Sequence, residues 1–213
     1  MGNFSMDDCC GNNNHHHHHG PERVIAIPNT LDEAVQGDYF VGQTENMFAA
    51  RGCNCWGGIV NPCNQGNQGN QGNPCNQNNQ CNPCCPCNPG VDCFVDSLTV
   101  SCYTATPILA EVYLNGNLCC QGTVSCNVSP SNTAIRPTPC PKCQVKSKNN
   151  VGNNLGCCKN PIGELVAGCS TKTIDLGGTI IIPPGGSCVV VCKSPCCNCI
   201  KCRVACRWWE EEI

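Results

Sequence analysis

Hydrophobic and polar residues fall into two regimes along the chain, with the boundary near Val91. Beyond it the pattern has period two. Leu98, Val100 and Cys102 alternate with Thr99, Ser101 and Tyr103, and Ile108, Ala110, Val112 and Leu114 alternate with Leu109, Glu111 and Tyr113. Successive side chains of a strand point to opposite faces, so this alternation predicts strands with one buried face. Asn115-Gly116 follows the second run at once, and that dipeptide suits the two positive-φ positions of a tight hairpin turn. Val124, Cys126 and Val128 carry the pattern on, and a short strand is expected near 143–146 inside the Pro-, Asn- and Lys-rich excursion of 129–161. Further strands are predicted over 162–167, 170–174, 179–182 and 189–193, the last two separated by Pro183-Pro184-Gly185-Gly186. The final strand is the clearest. Ile200, Cys202, Val204, Cys206 and Trp208 share one face, and Lys201, Arg203, Ala205 and Arg207 share the other. The acidic tail 210–213 is expected in solvent. Roughly seven or eight short strands at about ten-residue spacing predict an all-β fold, an antiparallel and jelly-roll-like β-sandwich, over 91–213.

Before Val91 the periodicity is lost. Residues 1–20 are a polar arm with Cys9-Cys10 and a run from His15 to His19, which fits either a native metal-binding tract or a purification tag. Residues 21–52 read as a short docking segment. Thr30 caps a brief helix through Leu31 and Val35, Tyr39-Phe40-Val41 forms a brief strand, and Glu45 to Arg51 makes a helical turn. Residues 53–90 are a Cys-, Asn- and Pro-rich linker built from Asn-Gln-Gly triplets and Asn-Pro-Cys units. With so few large apolar side chains this stretch cannot offset the entropy of ordering itself, and no regular structure is predicted for it.

Composition narrows the function. Charged residues are 13% of the chain, aromatics 5%, and the net charge is −3. Nothing in that balance points to a nucleic-acid partner, and no apolar run is long enough to span a membrane. The first eight residues hold neither a basic region nor an apolar run, so no secretory leader is expected. No phosphate loop or nucleotide fingerprint is present, and all five histidines sit in the polar arm, away from any scaffold. A catalytic cysteine needs a base in an electropositive niche. The chain is therefore expected to be no enzyme and to carry no cofactor.

The 27 cysteines are the chemistry of this chain, and their odd number leaves at least one unpaired within it. Two readings compete. As disulfide staples, the vicinal pairs Cys9-Cys10, Cys84-Cys85, Cys119-Cys120, Cys157-Cys158 and Cys196-Cys197 are candidates for bonds between subunits. Adjacent cysteines on a strand face opposite ways, so one can staple its own domain while the other reaches a second copy. As metal ligands, Cys140-x-x-Cys143 and Cys199-x-x-Cys202 have the knuckle spacing of a tetrahedral zinc site. So many cysteines produce that spacing by chance, which makes the zinc module the alternative.

Several stretches carry a family likeness. Asp96-Ser-Leu-Thr-Val100, the run from Gly178 to Ser187 and the cysteine-bearing last strand resemble the core domain of the endospore appendage (Ena) subunits. Met6-Asp7-Asp8-Cys9-Cys10 resembles that family's N-terminal connector, although the next cysteine, Cys53, comes later than the family's pattern places it. The Asn-Pro-Cys and His-rich first half resembles clostridial cysteine-rich exosporium and coat proteins instead. Both resemblances imply a structural subunit on a spore surface, made in the mother cell. It would pair by sheet augmentation with copies of itself, and with other spore-surface proteins, in a fibre or layer locked by disulfides.

Overall fold

The computed structural model describes residues 30–62, 90–114, 121–152 and 162–213. Among them are one short helix, α1 (Thr30–Gln36), and strands β1 (Tyr39–Gln43), β2 (Met47–Ala49), β3 (Asn54–Val60), β4 (Val91–Cys102), β5 (Ile108–Leu114) and β6 (Thr123–Val124). There follow β7 (Val128–Pro130), β8 (Gln144–Val151), β9 (Ile162–Val166), β10 (Thr171–Ile182), β11 (Ser187–Lys193) and β12 (Ile200–Glu212). One sheet has the order β10-β4-β12-β1-β7, with β2 also paired to β12; the other runs β6-β8-β3-β11-β5-β9. Neighbours are antiparallel throughout, as in β12 on β4 and β11 on β3. The two sheets enclose a single main core, so the fold is the all-β sandwich that the period-two pattern predicts.

The alternating residues point where the pattern places them. Ile200, Cys202, Val204, Cys206 and Trp208 of β12 pack inward with Val95, Leu98 and Val100 of β4 and with Ile108, Ala110 and Val112 of β5. The sandwich nevertheless reaches further back in sequence than Val91. Residues 39–60, read as a docking segment and the start of an unstructured linker, supply β1, β2 and β3, and the helical turn expected at 45–51 contains β2 instead. β3 is buried on both faces, which removes the alternation that identifies a half-buried strand. Its inner face joins the main core, while Trp56 and Val60 join Val151, Val189 and Val191 in a smaller cluster on the opposite side of the sheet. Gly58 lets β3 lie flush on β11, since a Cβ there would stand 2.3 Å from the Cys188 carbonyl oxygen.

Two further differences concern the C-terminal half. The segments expected at 170–174 and 179–182 are one strand, β10, broken by a bulge between Asp175 and Ile180. The tail expected in solvent extends β12, and Glu210 is buried. Its carboxylate accepts hydrogen bonds from the backbone N–H groups of Lys142 and Cys143, each at 2.8 Å, and from the Trp208 indole at 3.0 Å. Bonds to an ionised acceptor are the strong kind, and these fix the entry to β8 against the end of β12. The arm 1–20, most of the linker, and Asn115-Gly116 lie outside the described residues.

The β10 bulge has a steric cause. Gly178 has φ of +73°, and a Cβ there would meet the Trp209 ring at 1.9 Å, whereas neighbouring Gly177, at φ +52°, faces open space. Trp209 is in turn stacked on Phe94, ring centroids 5.2 Å apart. Gly178→Ala is expected to lose about 2–4 kcal/mol, from left-handed backbone strain plus overpacking, and Gly177→Ala only about 1–2 kcal/mol from the backbone. Denaturant unfolding of the two variants checks this; equal losses would remove the Trp209 contact as the cause.

Candidate functional site

Strand geometry gathers the buried cysteines. Residues four apart on a strand face the same way about 13 Å apart. Cys188 and Cys192 have that spacing on β11, and Cys202 and Cys206 have it on β12. Because the strands belong to different sheets, their inward thiols meet across the core at two levels. Eight core residues are cysteines: Cys55, Cys93, Cys102, Cys143, Cys188, Cys192, Cys202 and Cys206.

The first level is a trio. Cys55 and Cys192 are directly opposed on β3 and β11, and Cys202 faces them from β12. The three sulfurs lie within 4.8 Å of one another, all buried, with Cys55 Sγ 3.5 Å from Cys202 Sγ. Hydrogen bonds from the Cys192 and Cys202 thiols draw the Cys55 thiol down to about 5 despite burial. Cys202 is raised, by its bonds to Cys192 and Cys55 and by desolvation. Cys192 accepts a bond from Cys202, yet donation to Cys55 and desolvation raise it overall. Cys102 lies beside it as the cross-strand neighbour of Cys202, with its thiol directed at the Thr104 and Thr106 carbonyls at 3.5 and 3.6 Å.

The second level pairs Cys93 with Cys143 through a thiol hydrogen bond, and burial raises both. Cys188 and Cys206 lie near Cys93, and burial pushes them up as well, Cys188 to about 12. In chemical terms, two facing thiols suit a disulfide, and three suit a soft metal ion.

The predicted residues separate. Cys9, Cys10, Cys84, Cys85, Cys119, Cys120, Cys157 and Cys158 lie outside the described residues. Cys196 and Cys197 are exposed in the loop before β12, together with Cys199. The zinc set Cys140, Cys143, Cys199 and Cys202 is not brought together. Cys143 is tied to Glu210, near the end of β12, whereas Cys202 lies near its start, roughly 26 Å away at about 3.3 Å per residue. Cys140 and Cys199 are both on the surface. Cys55 and Cys192, which do meet Cys202, escape a reading based on x-x spacing. The four-residue repeats on β11 and β12 are the signal that finds Cys192 and Cys202, whereas Cys55, on β3, is brought in only by its pairing with Cys192.

Outside the thiols, a cleft of about 440 Å³ lies between α1 and the end of β12, lined by Glu33, Asp38, Glu210, Glu211, Glu212 and Lys142 among others. Burial and the nearby Glu211 carboxylate raise Glu33; burial and Glu212 raise Asp38. The cleft gathers carboxylates around one cation, Lys142, which pairs with Glu212 at 2.8 Å.

A family model described as a family of unknown function (DUF6143) matches residues 13–70 and 75–213. No curated protein and no solved structure matches the chain.

The thiol environments predict a dependence on alkaline pH. In fully reduced protein, Cys143, Cys188 and Cys206 stay protonated in the fold while the unfolded chain ionises near 9.0. Their stabilisation is complete below that value and is lost as pH rises toward about 12. The denaturant midpoint should fall across this window, with up to about 1.4 kcal/mol lost per pH unit for each thiol. A midpoint unchanged across it would contradict the burial of these groups.

Proposed function

The chain belongs to the DUF6143 family, and for this member we propose a structural role: a self-assembling subunit whose copies are joined by disulfides into a fibre or layer on a spore surface. The observation that carries this reading is the placing of the surface cysteines. Cys196, Cys197 and Cys199 are exposed in the loop that leads into β12. Exposed Cys169 sits at the same end, since its N–H bonds to the Thr104 carbonyl and the Tyr103 N–H bonds to the carbonyl of Lys201. Exposed Cys140 lines the cleft at the far end, beside Glu210 to Glu212. With β12 spanning about 40 Å at 3.3 Å per residue, thiols stand at both ends of the long axis. That arrangement suits end-to-end linkage, with the core cysteines kept out of reach.

A second feature supports assembly. β10 is a twelve-residue edge strand, paired to β4 on one side only among the described residues, and largely exposed. A long edge presents unpaired N–H and C=O groups on which another strand can add. The spore setting comes from the resemblance to endospore appendage subunits in Asp96-Ser-Leu-Thr-Val100, in Gly178 to Ser187 and in Met6 to Cys10.

The test is electrophoresis after free thiols are blocked, with and without reductant. Wild-type protein assembled in air should give a ladder that collapses to monomer on reduction. The double variant Cys196→Ser, Cys197→Ser should lose most of the higher rungs, while Thr133→Ala, in an exposed turn away from those thiols and from β10, should keep them. Monomer in both lanes for the wild type would end the cross-linking reading.

A further inference from the structure

We propose that Cys55, Cys192 and Cys202 form a metal site for a divalent thiophilic ion of the zinc class, held as a three-thiolate centre that ties the two sheets together. The site is distinct from the surface thiols on which the assembly reading rests. Its sulfurs come from β3, β11 and β12, so a single ion would bridge both layers of the sandwich. Zinc–sulfur bonds of about 2.3 Å place two tetrahedral ligand sulfurs about 3.8 Å apart. The trio brackets that value, with one contact at 3.5 Å and every pair within 4.8 Å. Little more than rotation about the Cα–Cβ bonds is needed to close it.

The ligand set chooses the ion. All three donors are sulfur, which excludes the hard, oxygen-seeking cations. Charge then separates the soft ones. Three thiolates around a divalent ion leave a net charge of −1, and around a monovalent ion −2. The basic residues flanking the ligands offer no offset. Lys193 pairs with Glu111 on the outer face, Lys201 is exposed, and Arg203 bonds to Gln43 and Asn46. In a core without counter-charge the smaller net charge is favoured. Starting from the fully protonated trio, loading forms three metal–sulfur bonds, breaks three S–H bonds and releases three protons to solvent, so affinity rises with pH.

The number three also matters. A disulfide uses two of the sulfurs and strands the third in an apolar core, whereas an ion uses all of them. Cys102, one strand over from Cys202, keeps its thiol on the Thr104 and Thr106 carbonyls and stays outside the three-thiolate set.

The experiment uses the full chain, expressed in a reducing cytosol and purified without oxygen, loaded with zinc and then challenged with EDTA. A single zinc equivalent should survive. Alkylation followed by peptide mapping should find Cys55, Cys192 and Cys202 modified more slowly in zinc-loaded than in zinc-free folded protein, while Cys93, Cys188 and Cys206, buried without an ion, should react at the same rate in both. Cys55→Ser and Cys192→Ser should each lose the retained ion, and Cys169→Ser should keep it. If a serine variant fails to fold by circular dichroism, the wild-type protection map decides alone. The proposal is overturned if no zinc resists EDTA, if zinc is retained while these three thiols alkylate as fast as in stripped protein, or if any two of them are recovered as a disulfide. None of these outcomes bears on the ladder formed by the surface cysteines, so the two readings fail separately.

Discussion

The pairing of β12 with β4 is the contact on which the rest of the sandwich depends. It runs from Cys202 opposite Cys102 to Glu212 opposite Val91, with one irregularity between Arg207 and Trp208. That irregularity is matched one strand over by the β10 bulge, where Gly178 makes room for the Trp209 ring. A slip of one residue would turn every inward side chain of a strand outward. Here it would carry Cys202, Cys206 and Trp208 to the surface and leave Lys201, Arg203 and Arg207 inside. The register is therefore strongly specified, and it fixes the height at which each β12 thiol meets its counterparts across the core.

A core filled this way behaves differently from one filled with aromatics. Aromatic residues are 5% of the chain, and cysteine takes much of the inward volume that Leu or Phe would occupy elsewhere. A thiol packs as a small hydrophobe. It also carries chemistry, so the stability of the sandwich is conditional. With its thiols reduced, the core is held by packing and weak S–H bonds; each staple across it adds about 2–4 kcal/mol, comparable to a large share of a domain's net stability. Hydrogen bonding at the ends supports the same frame without redox chemistry. Asn61 donates its side-chain amide to the carbonyls of Val91 and Ile182, and Glu210 gathers the start of β8.

Much of the C-terminal half was legible because β4, β5 and β12 are half-buried, unlike β11. Alternation survives in β4, β5 and β12, and these define the inner face residue by residue. β3 was not legible. It is sandwiched between β8 and β11 and buried on both sides, and its Asn-Cys-Trp-Gly-Gly sequence merges with the low-complexity run that follows. Glu210 was misread because a run of three glutamates looks solvated, and only tertiary structure reveals the Lys142 and Cys143 N–H groups that make burial favourable. The thiol trio was half legible. Cys202 was placed on the inner face of its strand, but its partners are non-local, and pairing across sheets cannot be inferred from x-x spacing within one segment.

That failure says why metal-ligand motifs mislead in β-rich, cysteine-rich chains. Knuckle spacing works when two ligands sit on one tight turn. On a strand, residues three apart point to opposite faces; Cys199 and Cys202 also straddle the start of β12, the first exposed in the loop and the second in the core. Even spacing keeps thiols on one face, and antiparallel packing then supplies the partners. In this fold the same rule divides the cysteines by accessibility: those with inward parity are buried between the sheets, whereas Cys140, Cys169, Cys196, Cys197 and Cys199, outside the strands, are exposed.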